Sequence, residues 1–204
     1  MKFDIIIAGV GGQGVLSIGA IISASAMRAG LRAMQSEVHG MSQRGGAVLA
    51  HLRLADREIF SPTIAHGQAD LILGLEPLET LRYLEYLSPS GTLITASEPV
   101  KNIPDYPDID DVLWGILRHP RGHVLDATRI ARDAGSVKAA NVVMVGAATD
   151  FLPIEDVTIR SAIADAFASK GEQVVEVNLR AYDAGRSALR HREVVDEFET
   201  FAVT

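Results

Sequence analysis

Two glycine-rich stretches near the start of the chain hold the residues best suited to chemistry. Gly9-Val10-Gly11-Gly12-Gln13-Gly14 has the spacing G-x-G-x-x-G and lies between a β-branched apolar run and a segment of helical periodicity. In that setting Gly9 permits a tight turn, Gly11 lets a phosphate approach the backbone, and Gly14 lets the helix pack closely on the strand. The N–H groups exposed at the helix start, around Gly12 and Gln13, favour an anion. The same glycines would also make a tight strand-to-helix turn that binds nothing, and the motif alone does not decide between the two. A nicotinamide dinucleotide would need an acid at the end of the second strand for its ribose. Glu37 is the candidate, but it opens another glycine-rich loop, and no convincing substrate domain follows.

That second stretch, Ser36-Glu37-Val38-His39-Gly40-Met41-Ser42-Gln43-Arg44-Gly45-Gly46, places a carboxylate, an imidazole, an amide and a guanidinium within one predicted loop over residues 37–46. His39 could carry a proton near neutral pH, and Arg44, beside Gly45 and Gly46, could grip a phosphate or carboxylate through two parallel N–H groups. The alternative is that Glu37 and Arg44 brace the loop or a subunit interface, as polar clusters in loops commonly do. No catalytic residue is fixed by these patterns; Glu37 and His39 are the candidates.

Elsewhere the chemistry thins out. His119 and His123 have helical ligand spacing, but Pro120 and Gly122 oppose a helix, and no carboxylate completes a zinc site. Asp105, Asp108, Asp110 and Asp111 fit a solvated connector and helix start better than a cation loop, so no metal is expected. Asn141 opens an apolar helical run, where a helix-start hydrogen bond is its expected role. The small residues Gly146, Ala147 and Ala148 would allow close helix approach, in part at a subunit interface.

The elements that must position these residues follow a βαβ alternation. Strands are predicted over residues 2–8, 31–36, 47–54, 69–75, 92–96 and 123–126, with the second beside the first and a short extended piece over 58–61 forming a hairpin with the third. Helices are predicted over 13–29, 77–87, 109–117, 128–134, 138–150, 154–169 and 176–187, with Gly30 a helix stop, Pro77 a helix start and residues 88–91 a turn. The fold expected is α/β, a Rossmann-like three-layer arrangement with a mostly parallel sheet and a helical C-terminal portion. No repeat or linker divides the 204 residues, so one domain over 1–204 is expected.

A formal net charge of -7 without a basic run argues against nucleic acid and anionic membrane as partners. With no cysteine, the chain cannot hold a thiolate-ligated iron–sulfur cluster or a disulfide. The absence of a secretory leader pattern and of a spanning apolar stretch leads to the expectation of a cytoplasmic protein.

The two glycine-rich stretches together, with Ser61-Pro62, Ala69-Asp70, Gly74-Leu75-Glu76-Pro77-Leu78-Glu79, Asn141 and Asn178-Leu179-Arg180-Ala181-Tyr182-Asp183-Ala184-Gly185, resemble the gamma-type domain of 2-oxoacid:ferredoxin oxidoreductases over nearly the whole chain. The form Glu-Val-His-Gly-Met-Ser-Gln-Arg-Gly-Gly is similar to the members acting on indolepyruvate. The resemblance implies a small subunit supporting coenzyme A-dependent oxidative decarboxylation of an arylpyruvate to an acyl-CoA, carbon dioxide and reduced ferredoxin. It also implies a larger partner carrying thiamine diphosphate, magnesium and iron–sulfur clusters, and a hetero-oligomer that ferredoxin meets as a complex, with a homodimer the expected form in isolation. Coenzyme A would meet this chain at residues 9–14, with Arg44, Gly45 and Gly46 nearby. Two other readings stay open: an autonomous NAD(P)-binding oxidoreductase, and a non-catalytic nucleotide-binding assembly module.

Overall fold

The computed structural model describes residues 1–39, 45–101 and 103–201, with the side chains of His39 and of residues 191–201 outside the description. Its strands are β1 (Lys2–Val10), β2 (Arg32–His39), β3 (Ala47–Ala55), β4 (Ala69–Gly74), β5 (Leu87–Ala96) and β6 (Gly122–Leu125). Its helices are α1 (Val15–Arg28), α2 (Pro77–Arg82), α3 (Ile109–Leu117), α4 (Ala127–Asp133), α5 (Ala140–Ala148), α6 (Asp156–Phe167) and α7 (Glu172–Phe201). The strands form one sheet in the order β2-β3-β1-β4-β5-β6, in which β3 alone runs against the rest.

The run Ile5-Ile6-Ile7 is fully buried because both faces of the sheet are covered. Ile5 and Ile7 point into a core built with α1 and α4 to α7, while Ile6 points to the opposite side, with Ile72, Leu93 and Ile116 of α3. These are the three layers expected of an α/β fold. Among the described residues, no helix is long and apolar enough to cross a membrane.

Several expectations need correction. β2 does not lie beside β1: β3 is inserted between them, antiparallel to both. Composition explains the exchange. β3 buries Val48, Ala50, Leu52 and Leu54, whereas β2 carries Arg32, Gln35, Ser36 and Glu37, so the apolar strand takes the interior and the polar one the edge. β2 also continues through His39, with Glu37 opposite Ala50 and His39 opposite Val48, so residues 37–39 are strand and not loop.

Residues 58–61 form no strand. Buried Asp4 explains this: its carboxylate binds Arg53 at 2.9 and 3.1 Å, and the same guanidinium donates to the carbonyls of Ser61 and Thr63. The segment is thus tied by a side chain instead of a ladder. Residues 88–91, expected as a turn, lie inside β5 beside a register shift in its pairing with β4. Gly30 behaves as expected, with φ +78 just past α1 and the following Leu31 N–H bonded to the Ala26 carbonyl at 2.9 Å.

The small residues of α5 pack inside the chain, not at a subunit interface. A side-chain carbon at Gly146 would fall 2.1 Å from the Tyr182 carbonyl oxygen, and one at Gly185 would fall 2.0 Å from that of Val143. Helices α5 and α7 therefore touch backbone to backbone. Tyr182, fully buried at the same crossing, donates to Asp156 at 2.7 Å and accepts from Thr149 at 3.0 Å.

Candidate functional site

The chain leaves β1 toward the β2–β3 side of the sheet and leaves β4 toward β5, so the carboxyl ends of β1 and β4 flank a topological switch point. A cleft of about 540 Å³ opens there, at the ends of β1, β4 and β5. Its walls are Gly12 and Gln13 after β1, Leu75 after β4, residues 98–101 after β5, Thr128 of α4, Lys138 in the 3-10 turn before α5, and Asn141 in the first turn of α5. The size suits a small ligand or part of a larger one.

The glycine-rich turn is held by bonds that correct the roles expected for it. The Gly11 N–H donates to the Gly46 carbonyl at 2.8 Å, and the Gly45 N–H donates to the Gly11 carbonyl at 3.3 Å. The two glycine-rich stretches are therefore joined to each other, and the Gly11 amide is not available to a phosphate. Gln13 closes the turn from inside: its side-chain oxygen accepts from the Val10 N–H at 2.7 Å and its amide donates to the Leu75 carbonyl at 2.9 Å. Gly9 is the place of close approach, since a side-chain carbon there would lie 3.0 Å from Gln13 Oε1 and 3.1 Å from Leu75 Cβ.

Gly12 and Gly14 have φ of +105 and +90, in the left-handed region that glycine enters without strain. Gly14 is also covered by Asn141, whose Nδ2 would sit 2.7 Å from any added carbon. This is the observed role of Asn141. No side-chain hydrogen bond caps the start of α5, and the amide instead reaches across to the turn at the cleft wall. Helix α1 likewise has no side-chain cap, and its first ladder bond runs from Ile18 N–H to the Gly14 carbonyl at 3.1 Å. The N–H groups of its first turn thus have no ladder acceptor and carry partial positive charge.

Sequence reasoning missed the two cations of the cleft, Lys101 and Lys138, neither of which pairs with a described carboxylate. Glu98, on the same rim, is bound by the Thr128 hydroxyl. The signal that finds Lys101 is positional. Residues just beyond the carboxyl ends of parallel strands face the ligand crevice, and Lys101 follows β5.

Of the residues singled out earlier, Gly12 and Gln13 line the cleft, Gly14 lies beneath Asn141, and Gly45 and Gly46 lock the turn from behind. Glu37 is exposed on edge strand β2, where Gln35 Nε2 donates to it at 2.7 Å. β3 separates that strand from β1, so Glu37 does not take the place of a ribose-binding acid and the nicotinamide reading loses its support. His39 is placed by its backbone alone, and Arg44 lies outside the described residues. No group of metal-binding side chains occurs among the described residues. His51 is buried and accepts from the Ile64 N–H at 3.2 Å; burial, aided by Arg53, lowers its pKa, and a neutral ring suits that acceptor role.

Beside the cleft, the start of α2 just after β4 holds a pair of buried carboxylates, Glu76 and Glu79. Burial pushes the Glu79 carboxyl up, Glu76 adds to this, and Arg82 at 3.6 Å opposes it. One Glu79 oxygen has no partner among the described residues. A carboxylate whose pKa is raised on folding contributes its full stability below its unfolded value and loses it as pH rises through the folded value. Glu79→Gln should therefore match the parent near pH 4 and melt at a higher temperature at pH 8, as thermal unfolding at the two pH values would show.

Comparison with known proteins places these features in a wider set. Residues 4–188 match the family described as pyruvate ferredoxin/flavodoxin oxidoreductase. The chain is 38% identical over 195 residues to indolepyruvate oxidoreductase subunit IorB of Archaeoglobus fulgidus, covering 91% of this chain and 94% of that one. Among solved structures it is similar to the 2-oxoglutarate:ferredoxin oxidoreductase of Magnetococcus marinus with 2-oxoglutarate, coenzyme A and succinyl-CoA bound, with a TM-score of 0.71, 22% identity and coverage of 93% of this chain and 31% of that one. It is also similar to the gamma subunit of the keto/oxoacid ferredoxin oxidoreductase of Geobacter sulfurreducens, with a TM-score of 0.67, 24% identity and coverage of 93% and 99%.

Proposed function

Because the chain belongs to the pyruvate ferredoxin/flavodoxin oxidoreductase family, we propose that it is the small subunit of an arylpyruvate:ferredoxin oxidoreductase and that its cleft holds coenzyme A by its phosphates. The complex is proposed to act in the cytoplasm. The observation that carries the reading is the meeting of two cations, Lys101 and Lys138, with Gly12 and Gln13 of the turn that leads into the uncapped α1, at the switch-point cleft.

Coenzyme A fits this donor set. Its diphosphate would take the two lysines and the first-turn amides of α1, with the Asn141 side chain available to a polar group of the same ligand. Glycine at position 12, where an added side-chain carbon would meet nothing, keeps the turn low enough for a bulky anion to approach. The chain supplies binding and orientation, which lowers the entropic barrier to reaction of the thiol with the acyl group formed on the partner. Thiamine diphosphate on the partner would supply the decarboxylation chemistry and its iron–sulfur clusters would accept the electrons, a division that suits a chain without cysteine.

Reconstitution with the large subunit tests the reading. Ferredoxin reduction that depends on indolepyruvate and coenzyme A, and that needs both chains, is the expected result. The same rate from the large subunit alone would remove the assignment.

A further inference from the structure

Glu76 makes more bonds than its place in the fold requires. It precedes α2, and its Oε2 accepts from the Glu79 N–H at 2.7 Å, which is the ordinary duty of a helix cap. Its other oxygen, Oε1, accepts from the Val100 N–H at 3.3 Å and from the Tyr106 hydroxyl. These donors come from 24 and 30 residues further along the chain, on the connector between β5 and α3. Aspartate would cap the helix as well but is one methylene shorter. The longer side chain is what reaches the connector.

The connector carries Glu98, Pro99, Val100 and Lys101, all in the cleft wall. Its remaining described fastenings here are the Thr128 hydroxyl on Glu98 and the Ser97 N–H on the Leu125 carbonyl at 2.8 Å. The Glu76 carboxylate is 1% exposed, so bonds to it are little weakened by water. Burial and the bond to Glu76 both push the Tyr106 hydroxyl up, which keeps it a donor at all working pH values.

We propose that Glu76 and Tyr106 form a clasp that fixes the backbone at Val100 and so sets Lys101 toward the phosphates in the cleft. Glu76 is then a positioning residue that acts through the connector and touches no ligand. The inference rests on the coenzyme A reading of the cleft given above.

Two variants test it in the reconstituted complex. Tyr106→Phe deletes one donor, and Glu76→Asp keeps the cap on α2 while withdrawing from the connector. Each should raise the KM for coenzyme A about five-fold and leave the KM for the 2-oxoacid and the kcat at saturating coenzyme A unchanged. Amide exchange at Val100 should quicken in both. A KM for coenzyme A equal to that of the parent in Tyr106→Phe would overturn the clasp, and so would a lowered kcat with both KM values raised alike, in step with a lowered Tm. If Glu76→Asp fails to fold, Tyr106→Phe decides alone. Failure of the coenzyme A reading is separable, because removal of Lys101 and Lys138 would then also leave that KM unchanged.

Discussion

Gly185→Ala should destabilise the chain by about 3 kcal/mol, the upper end of the usual cost of overpacking, because the new methyl would meet backbone and not a movable side chain. The Val143 carbonyl oxygen lies 2.0 Å from the position that carbon would take, and its carbonyl carbon 2.8 Å. Ordinary contact can be restored only by parting α5 from α7, which would also disturb Tyr182 and its bonds to Thr149 and Asp156. The expected sign opposes intrinsic preference, since alanine is favoured over glycine within a helix by about 1 kcal/mol. Gly115 of α3 provides the contrast. There the nearest atom is Leu81 Cδ1 at 3.1 Å, the tip of a flexible side chain, so Gly115→Ala should be neutral or slightly stabilising. Urea unfolding of the two variants side by side measures the difference.

Much of the architecture was legible because single residues force it. Ile5-Ile6-Ile7 can be accommodated only between two apolar layers, Pro77 starts a helix, and α3 falls at Ile109–Leu117 as its periodicity indicates. Strand order was less legible. Local pattern identifies β2 and β3 as strands, but which of them sits beside β1 depends on competition for the sheet interior, and the more apolar β3 wins. The strand expected at 58–61 failed for a similar reason: the Asp4–Arg53 pair, built from residues 49 positions apart, reaches out to Ser61 and Thr63.

The candidate site divides in the same way. The position of the glycine-rich turn and its need for glycine were visible in the spacing, but its bonding was not. Only in the folded chain does Gly46 consume the Gly11 amide, Gln13 become a brace, and Asn141 cover Gly14. Lys101 comes from a connector without regular patterning and Lys138 from the first position of a predicted helix, and both acquire meaning only when the fold brings them to one cleft.

The central claim is that this cleft holds the phosphates of coenzyme A, and its lysines carry the second large expected effect. Both are exposed side chains, so each contact with a phosphate is worth about 1 kcal/mol. Two such contacts amount to about a thirty-fold change in affinity. Neither lysine pairs with a carboxylate among the described residues, so the double variant Lys101→Gln/Lys138→Gln should melt with the parent. The loss should shrink with added salt, because exposed charges are screened. The decisive measurement is steady-state ferredoxin reduction by the reconstituted complex of this double variant, titrated separately with coenzyme A and with indolepyruvate. A KM for coenzyme A raised about thirty-fold, with that for indolepyruvate unchanged, is the predicted result. A KM for coenzyme A within about two-fold of the parent would contradict the assignment of the cleft.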